Sequence, residues 1–386
     1  MFPARIPIVS VPPSGLINTY SLAFDGSNDY VDVGATFQTT LDGAFTVSAW
    51  IKLNDGQPSV PESIVGSSST GDEDKFRVRV DTDGKIRLVY KSNAAGSSMD
   101  DASTSAVFAN GATDWTHIAA TFTESGGTVT GGLYVNGVSE AGSFSGTAAM
   151  ADFVTSNNLY IGALNEASGI SEYFDGNIDE VGIWNTALSA GSISNIYNNG
   201  VPTDLLADSN SANLKGWWRM GDGVLDDFNL IADQVNPTLG SELLNNGDFA
   251  TGDLTGWTVA DAWSGSDDDG VIYQDGGVRF RSAGDSIAIQ QEILTSGKLY
   301  KVVYECTSYT SGNWYTRGGN VYVRPNSGAG THTNYLLSDG ADFMINRDTG
   351  GITHDFILDN ISVKEVLGNP GLMTNMASDD IVKDTP

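Results

Sequence analysis

Apolar and polar residues alternate in short runs along most of this chain, and clusters of turn-forming residues separate the runs. In FTVSAWIKL, residues 45–53, the odd-numbered side chains are apolar or small and most of the even-numbered ones are polar. Because successive side chains of a strand point to opposite faces, this pattern predicts a half-buried β-strand. An Asp-Gly pair at 83–84 and an Asn-Gly pair at 136–137 lie between such runs and predict tight hairpin turns.

One segment, LSAGSISNIYNN, departs from the strand pattern. Ser189 can cap a helix there, Ile193, Ile196 and Tyr197 share one stripe, and Gly200 can end it. Many short strands and one helix are typical of an all-β protein. We therefore predict two antiparallel β-sandwich jelly rolls, with one short helix after the first.

The 386 residues exceed the usual size of a single domain, so two domains are expected. Changes in pattern divide the chain into an extended N-terminal arm at 1–18, a first jelly roll at 19–202, a connecting segment at 203–240, a second jelly roll at 241–366 and a C-terminal tail at 367–386. The adjacent tryptophans Trp217 and Trp218 fall in the connecting segment, and we expect them to pack between the two domains.

Composition excludes several classes of function. The formal net charge is -29 and the pI about 4.1, so the chain repels nucleic acid and anionic lipid. No apolar run is long enough to cross a bilayer, and prolines interrupt the N-terminal apolar residues, so neither membrane insertion nor a signal peptide is expected. Cys306 is the sole cysteine, which excludes an intramolecular disulfide. We expect synthesis in the cytoplasm and a Cys306 that behaves as a small buried hydrophobe.

Five motifs occur in the order found in one known family: YSLAFDGSNDYVDVG, FTVSAWIKL, WTHIAATFT, GGLYVNGV and YFDGNIDEVGIWNTALS. Through them, residues 19–202 resemble the laminin-G-like, concanavalin A-like jelly-roll family. The resemblance implies two packed antiparallel sheets, usually used for binding and often holding one calcium ion.

The block at 241–366 resembles the family 4/9 carbohydrate-binding modules at its two ends, NGDFATGDLTGW and ILDNISV. A third resemblance concerns GWWRMGDG, ADQVNPT and the terminal MTNMASDDIV, which are similar to a phrase in virion proteins of marine bacteriophages. In those relatives the pieces lie close together along the chain. We infer that the second jelly roll is inserted into a connecting segment, which would bring 216–222 near the final residues.

The acidic dipeptide Asp179-Glu180 lies inside a predicted strand. Strand alternation places Asp179 on one face with Val181, and Glu180 on the other face with Ile178. Two carboxylates on opposite faces cannot flank one glycosidic bond as acid and base. Catalysis is therefore not expected, and no Ser-His-Asp or zinc-binding spacing is evident.

A structural calcium ion is expected at Asp25, Asn28 and Asp179. A buried Asp179 carboxylate would need a partner, and in the family resembled the ion commonly sits where the first strand meets this late strand. Asp29 or Asp32 could add a ligand. The alternative is that Asp25 and Asp179 accept backbone N–H bonds in turns.

Sugar binding needs exposed aromatic rings with polar neighbours. The Gly-rich stretch TSGNWYTRGGN offers Trp314, Tyr315 and Arg317 as carbohydrate-binding candidates. The alternative is that these rings cover a sandwich edge or a contact with another subunit. In the same block Asp359 matches a calcium ligand of the family resembled, but Ala250 replaces the acidic residue that follows NGDF, so a second ion is not expected.

These observations predict a non-enzymatic surface protein of a bacteriophage virion, as a capsid decoration, fibre or tail-appendage subunit. Its expected partners are other virion proteins, such as the major capsid protein or tail proteins, further copies of itself, and host or environmental polysaccharide. The alternative function is a carbohydrate-binding adhesin on a bacterial cell surface.

Overall fold

A computed structural model describes residues 16–34, 37–68, 75–92, 97–147, 150, 158–166, 168–226, 229–235, 238–260, 270–282, 287–347 and 353–386. Most of the predicted N-terminal arm lies outside these residues. The chain forms two compact units. The first unit contains the described residues of 1–236 together with Gly371–Pro386, and the second contains those of 237–370.

The first unit is built from short strands and two helices. Its strands before the second unit are β1 Ser21–Asp25, β2 Tyr30–Asp32, β3 Phe45–Leu53, β4 Glu62–Ser68, β5 Lys75–Val80, β6 Ile86–Ser92, β7 Ser97–Ala102, β8 Thr116–Ser125, β9 Thr128–Val135, β10 Val138–Glu140, β11 Ser145–Gly146, β12 Tyr160–Ile161, β13 Leu164–Glu166, β14 Gly169–Ser171, β15 Asp175–Trp184, β16 Leu214–Trp218 and β17 Leu230–Ile231. Its α-helices are α1 Gln38–Leu41 and α2 Ala190–Tyr197.

The second unit contains β18 Leu239–Glu242, β19 Thr258–Ala260, β20 Gly270–Gln274, β21 Gly277–Ser282, β22 Ala288–Glu292, β23 Leu299–Ser311, β24 Trp314–Gly318, β25 Val321–Asn326, β26 Gly330–Leu337, β27 Asp342–Arg347 and β28 His354–Val366. The chain then returns to the first unit with β29 Gly371–Thr374 and β30 Ile381–Val382.

Two large antiparallel sheets make up the first unit. The nine-stranded sheet has the order β10-β9-β8-β3-β15-β1-β30, with β11 also paired to β9 and β16 to β15. The eight-stranded sheet has the order β17-β29-β2-β12-β4-β5-β6-β7, and β13 pairs with β14 as a separate hairpin. Alternate residues of both sheets, among them Phe45, Val47, Val78 and Leu88, form one hydrophobic core. The predicted hairpin turns at 83–84 and 136–137 join β5 to β6 and β9 to β10.

Helix α2 lies in the segment LSAGSISNIYNN and confirms the helix predicted there. The Ser189 side chain accepts a hydrogen bond from the Ser192 N–H at 3.1 Å and caps the helix. Ile193 and Ile196 pack with Trp184 and other residues in a second apolar cluster. Helix α1 is a one-turn helix that the pattern of the sequence did not predict.

Two sheets also form the second unit. Strands β20-β21-β28-β23-β26, with β18 paired to β28, make a six-stranded sheet, and β19-β22-β27-β24-β25 make a five-stranded sheet. Their inner residues, including Tyr300, Trp314, Phe343 and Phe356, form a core of their own. Cys306 is buried in this core, as expected. The architecture confirms the prediction of an all-β protein made of antiparallel sandwiches.

The final residues belong to the first unit. Strand β29 pairs with β2 and β17, and β30 pairs with β1. The segment after residue 202 is likewise part of this unit, because β16 joins the nine-stranded sheet. Residues 203–235 and 371–386 therefore do not behave as a linker and a free tail. This placement is the one that the inferred insertion of the second jelly roll requires.

The paired tryptophans correct one expectation. Trp218 lies in the core between the two sheets of the first unit, edge-on to Phe37 at 5.7 Å between ring centroids. Trp217 lies in the apolar cluster that includes helix α2. The two rings lie on opposite sides of strand β16 within one unit, because successive strand residues point to opposite faces. Of the described helices, none has the length and apolar character that a membrane crossing needs.

Candidate functional site

A β-bulge in strand β15 determines on which face of the sheet Asp179 and Glu180 lie. We call these two residues the acid pair. Asp179 is opposite Trp50 of β3, but Gly182 is opposite Ser48, so strand β15 contains one extra residue at this point. Glu180 has φ 49°, a left-handed conformation that accommodates the extra residue. Simple alternation therefore fails here.

Both carboxylates of the acid pair point away from the sandwich core. Ile178 and Val181 are both core residues, so the two residues between them lie on the outer side of the sheet. The predicted separation of Asp179 and Glu180 across the sheet is wrong, and the bulge is the physical reason. The two carboxylates are nevertheless 0% and 4% exposed, so they do not line an open groove.

Side chains of two other segments cover the acid pair and donate hydrogen bonds to it. The Asn18 side-chain amide donates to Asp179 at 2.9 Å. Trp217 Nε1 and Arg219 Nε donate to the two oxygens of Glu180 at 2.6 and 3.0 Å. Burial raises the pKa of Glu180 to about 7 although Arg219 lowers it, and burial and the Glu180 charge raise the pKa of Asp179. Arg219 thus pairs with Glu180, while Asp179 is held by hydrogen bonds from the Asn18 amide and the Glu180 N–H.

The residues predicted to hold calcium do not converge. Strand β1 pairs with β15 so that Asp25 faces Asp175, four residues before Asp179. Four residues of strand span roughly 13 Å, too far for one coordination shell, in which oxygens lie at about 2.3–2.6 Å from the ion. The Asp25 carboxylate accepts the Ser27 and Asn28 N–H groups at 2.8 and 3.2 Å, which matches the alternative turn role.

Other carboxylates lie near Asp25. Asp29 is buried and accepts the Asp25 N–H, and burial together with the charges of Asp25 and Asp380 raises its pKa to about 6. Glu62 accepts the Asp175 N–H, and burial and the neighbouring Asp175 raise the pKa of Glu62 to about 8. Within the part of the chain that the structure describes, no three His, Cys, Asp or Glu side chains are arranged to hold a metal ion.

Trp314 cannot serve as a sugar platform. Its side chain is 0% exposed, packs 4.4 Å from Phe356 between ring centroids, and donates to the Tyr304 hydroxyl at 2.9 Å. Because Trp314 is on the core side of β24, strand alternation places Tyr315 and Arg317 on the outer side. Tyr315 is on the outer side but only 5% exposed, whereas Tyr322 of β25 is 45% exposed.

The outer side of the five-stranded sheet carries an unbroken row of residues in register. Thr258, Gln290, Met344, Arg317 and Tyr322 are consecutive partners across all five strands. With about 4.8 Å between neighbouring strands, the row is roughly 19 Å long. We call the outward residues of strands β24, β25 and β27 the aromatic face; they are Tyr315, Arg317, Tyr322, Asp342, Met344 and Asn346.

The aromatic face combines rings with hydrogen-bonding groups. The Tyr315 and Tyr322 rings meet edge-on at 5.1 Å, and the Arg317 guanidinium lies 5.8 Å from the centre of the Tyr322 ring. Arg317 donates to Asp342 at 2.7 Å. Arg317 Nε and Asn346 Oδ1 are buried and bond to no protein group. This face can therefore offer the Tyr322 ring for stacking and, beside it, the partly exposed Arg317–Asp342 pair for hydrogen bonding.

Sequence reasoning found part of this face and missed the rest. It chose Tyr315 and Arg317 from a Gly-rich stretch, and both belong to the face. It missed Asp342, Met344 and Asn346, although ADFMINR alternates, with every second residue on the outer side of β27. That alternation was the available signal, but only the strand order shows that β27 lies beside β24.

The second unit also has a polar cleft of about 330 Å³, apart from the aromatic face. Burial and the charges of Glu305 and Asp248 raise the pKa of Asp359, so these carboxylates lie near one another at its edge. Its lining residues are Glu242, Leu244, Asn246, Gly247, Asp248, Asn360, Ile361 and Ser362.

Residues 25–194 match the family model Laminin_G_3, described as the concanavalin A-like lectin/glucanases superfamily. Over these residues the chain is similar to that superfamily, and the first unit has the antiparallel sandwich architecture of a jelly roll. The match confirms the resemblance that the five ordered motifs carried. A search of curated proteins found no match.

Several solved structures are similar to parts of the chain. A putative carbohydrate binding protein from Bacteroides ovatus is 21% identical over 57% of this chain and 56% of its own, with a TM-score of 0.40. The IT-sialidase CBM40 of Ruminococcus gnavus is 13% identical over 48% of this chain and 100% of its own, with a TM-score of 0.38. A heptameric SAP-like pentraxin from Limulus polyphemus is 16% identical over 50% and 90%, with a TM-score of 0.34. Likenesses this distant carry no information about the ligand of this chain.

Proposed function

We propose that this protein binds polysaccharide through the aromatic face of its second unit, without catalysing a reaction. The observation that carries the proposal is the exposed Tyr322 ring beside the partly exposed Arg317–Asp342 pair on the outer side of the five-stranded sheet. The apolar face of a sugar ring stacks on an exposed aromatic ring, and its hydroxyls both donate and accept hydrogen bonds. The in-register row gives space for an extended chain of sugars.

Binding to a glycan array, followed by calorimetry with the best oligosaccharide, tests this proposal. Tyr322→Ala should weaken binding about tenfold or more, because it removes the ring while leaving the core intact. Tyr309→Ala is the matched control, since Tyr309 is 38% exposed on the other sheet of the same unit. Trp314→Ala is a poor test because the loss of a buried ring would unfold the unit. Equal affinity of wild type and Tyr322→Ala for the oligosaccharide would show that the aromatic face is not the binding site.

For the biological setting we propose the surface of a bacteriophage virion, with the protein made in the host cytoplasm and assembled as a homo-oligomer on other virion proteins. Support comes from the resemblance of GWWRMGDG, ADQVNPT and MTNMASDDIV to virion proteins. The strands β16, β17, β29 and β30 lie in or beside these phrases and all belong to the first unit. Mass spectrometry of purified particles tests the setting, and absence of the polypeptide from them would contradict it. The adhesin alternative predicts instead that fractionation recovers the protein on the bacterial cell surface.

We also propose a structural Ca²⁺ near Asp25 and Asn28, without Asp179. Buried Asp29 already has a raised pKa because of burial and the neighbouring carboxylates. A divalent cation would relieve that repulsion.

A further inference from the structure

Charged side chains cross the outward face of strands β5 and β6 in the first unit. Acids and bases alternate along this line, and the contacts between them are 2.6–2.9 Å long apart from one of 3.9 Å. We call it the charge ladder; its members in order are Lys75, Glu166, Arg77, Glu172, Arg79, Asp81, Arg87 and Asp100.

The hairpin β13–β14 supplies two acids of the ladder. Leu164 of β13 lies against Gly66 of β4, where an added Cβ would be 2.7 Å from its Cδ1 atom. Gly66 is paired with Arg77 in the sheet, so the hairpin covers the outward face beside the arginines. Glu172, which follows the hairpin, has φ 55°, and its carbonyl accepts the Ser63 N–H at 2.8 Å.

The hydrogen bonds between Glu172 and the two arginines leave polar atoms of Glu172 and Arg77 without partners. Its Oε1 atom alone accepts from Nη1 of Arg77 at 2.8 Å and from Nη1 of Arg79 at 2.6 Å. Its Oε2 atom is buried and bonds to nothing, and the same holds for Arg77 Nε and for the Ser63 hydroxyl. A carboxylate placed in the plane of a guanidinium accepts from two of its nitrogens at once. Glu172 does not make that arrangement, although the Arg77 side chain is only 8% exposed.

The ladder sets four basic side chains against four acidic ones, whereas the chain as a whole is strongly acidic. Five of the 19 Lys and Arg residues, in a chain of net charge -29, lie on β5 and β6. A carboxylate ligand that approaches the rest of this acidic chain is repelled, whereas two adjacent guanidinium groups attract it. They are Arg77 and Arg79, two residues apart on the same face of one strand.

We propose that Arg77 and Arg79 form a binding site for the carboxylate of an external ligand, and that Glu172 fills this site in the ligand-free protein. The ligand carboxylate replaces Glu172, accepts from Arg77 Nε, and the hairpin moves aside with Glu172. A uronic acid unit of a polysaccharide and a small free carboxylate share this chemistry.

Calorimetry with an oligoglucuronate, a neutral oligoglucoside of the same length, and acetate tests the proposal. Glu172→Ala removes the internal competitor, so it should bind the oligoglucuronate at least tenfold more tightly than wild type. Its affinity for the neutral sugar should equal that of wild type, because only the aromatic face would bind that sugar. Acetate binding as strong as that of the oligoglucuronate would support the site and assign it to small carboxylates. Arg77→Met, added to Glu172→Ala, should abolish the gain in affinity for both carboxylates.

Asp100→Ala is the matched control, because Asp100 pairs with Arg87 at the half-exposed end of the ladder. It should leave the affinity unchanged. Glu172→Gln replaces the Ala variant where circular dichroism shows that the latter does not fold. A folded Glu172 variant that binds neither carboxylate more tightly than wild type would overturn the proposal, as would a gain in affinity that survives Arg77→Met.

Discussion

The charged side chains of the sites described above differ in burial between the two units. The first unit buries charges: the acid pair with Arg219 lies under Asn18, and Arg77 of the charge ladder is 8% exposed. In the second unit the ion pair of the aromatic face lies nearer the surface, with Arg317 and Asp342 22% and 29% exposed beside Tyr322. Buried charges are costly to remove singly and respond to pH, whereas surface groups are available to ligands. We therefore expect the first unit to be more sensitive than the second to the loss of one charged group and to pH.

The largest effect should come from removing one cation in each unit. Arg219→Met leaves the buried Glu180 carboxylate without its guanidinium, and we expect a loss of about 3–5 kcal/mol in the stability of the first unit. Arg317→Met breaks a partly exposed pair and should cost the second unit less than about 1 kcal/mol. Urea denaturation followed by hydrogen exchange in each unit measures both values. Equal losses of stability in the two units would contradict this difference between them.

The pH dependence should also differ between the units. Burial raises the pKa of Glu180 to about 7 in the folded first unit, above its usual value near 4.5. A carboxyl whose folded pKa is raised stabilises the fold fully at low pH, and this contribution is lost as pH rises through the folded value. The first unit should therefore lose roughly 3 kcal/mol between pH 4 and pH 8. Asp29 and Asp226, each with a pKa raised to about 6 by burial, act in the same direction.

Hydrogen exchange at pH 5 and pH 8, corrected for intrinsic rates, would compare β15 with β28 in one sample. In the second unit the pKa of Asp253 is lowered by its hydrogen bonds while that of Asp359 is raised by burial, so opposing shifts leave a smaller net change. Protection of β15 that increases with pH would contradict the assignment.

Calcium should have the smallest effect. We expect it to raise the melting temperature of the first unit by about 2–4 °C, corresponding to about 1 kcal/mol, and EDTA to reverse the rise. Asp25→Asn should abolish the response, and Asp179→Asn should leave it intact because Asp179 is far from Asp25 in the strand register. A wild-type melting curve that calcium and EDTA leave unchanged would remove the ion from this protein.

Local patterns in the sequence predicted the elements well where each residue depends on its neighbours in the chain. Alternation identified β3, Asn-Gly and Asp-Gly pairs located hairpins, and Ser189 marked the start of α2. The same alternation failed at the acid pair, because one inserted residue reverses the facing of every residue that follows. The Gly-rich composition around Trp314 likewise made that ring a carbohydrate-binding candidate, although it is on the core side of β24.

The sequence by itself determined the all-β class, the jelly-roll motifs of the first unit and the strong negative charge. Only the tertiary structure decided which side chains meet: Glu180 with Arg219, Glu172 with Arg77, and Tyr322 with Arg317. Periodicity records how a residue faces its own strand, but strand order and bulges determine its neighbours. Those depend on pairings between residues far apart in the chain, which no local pattern encodes.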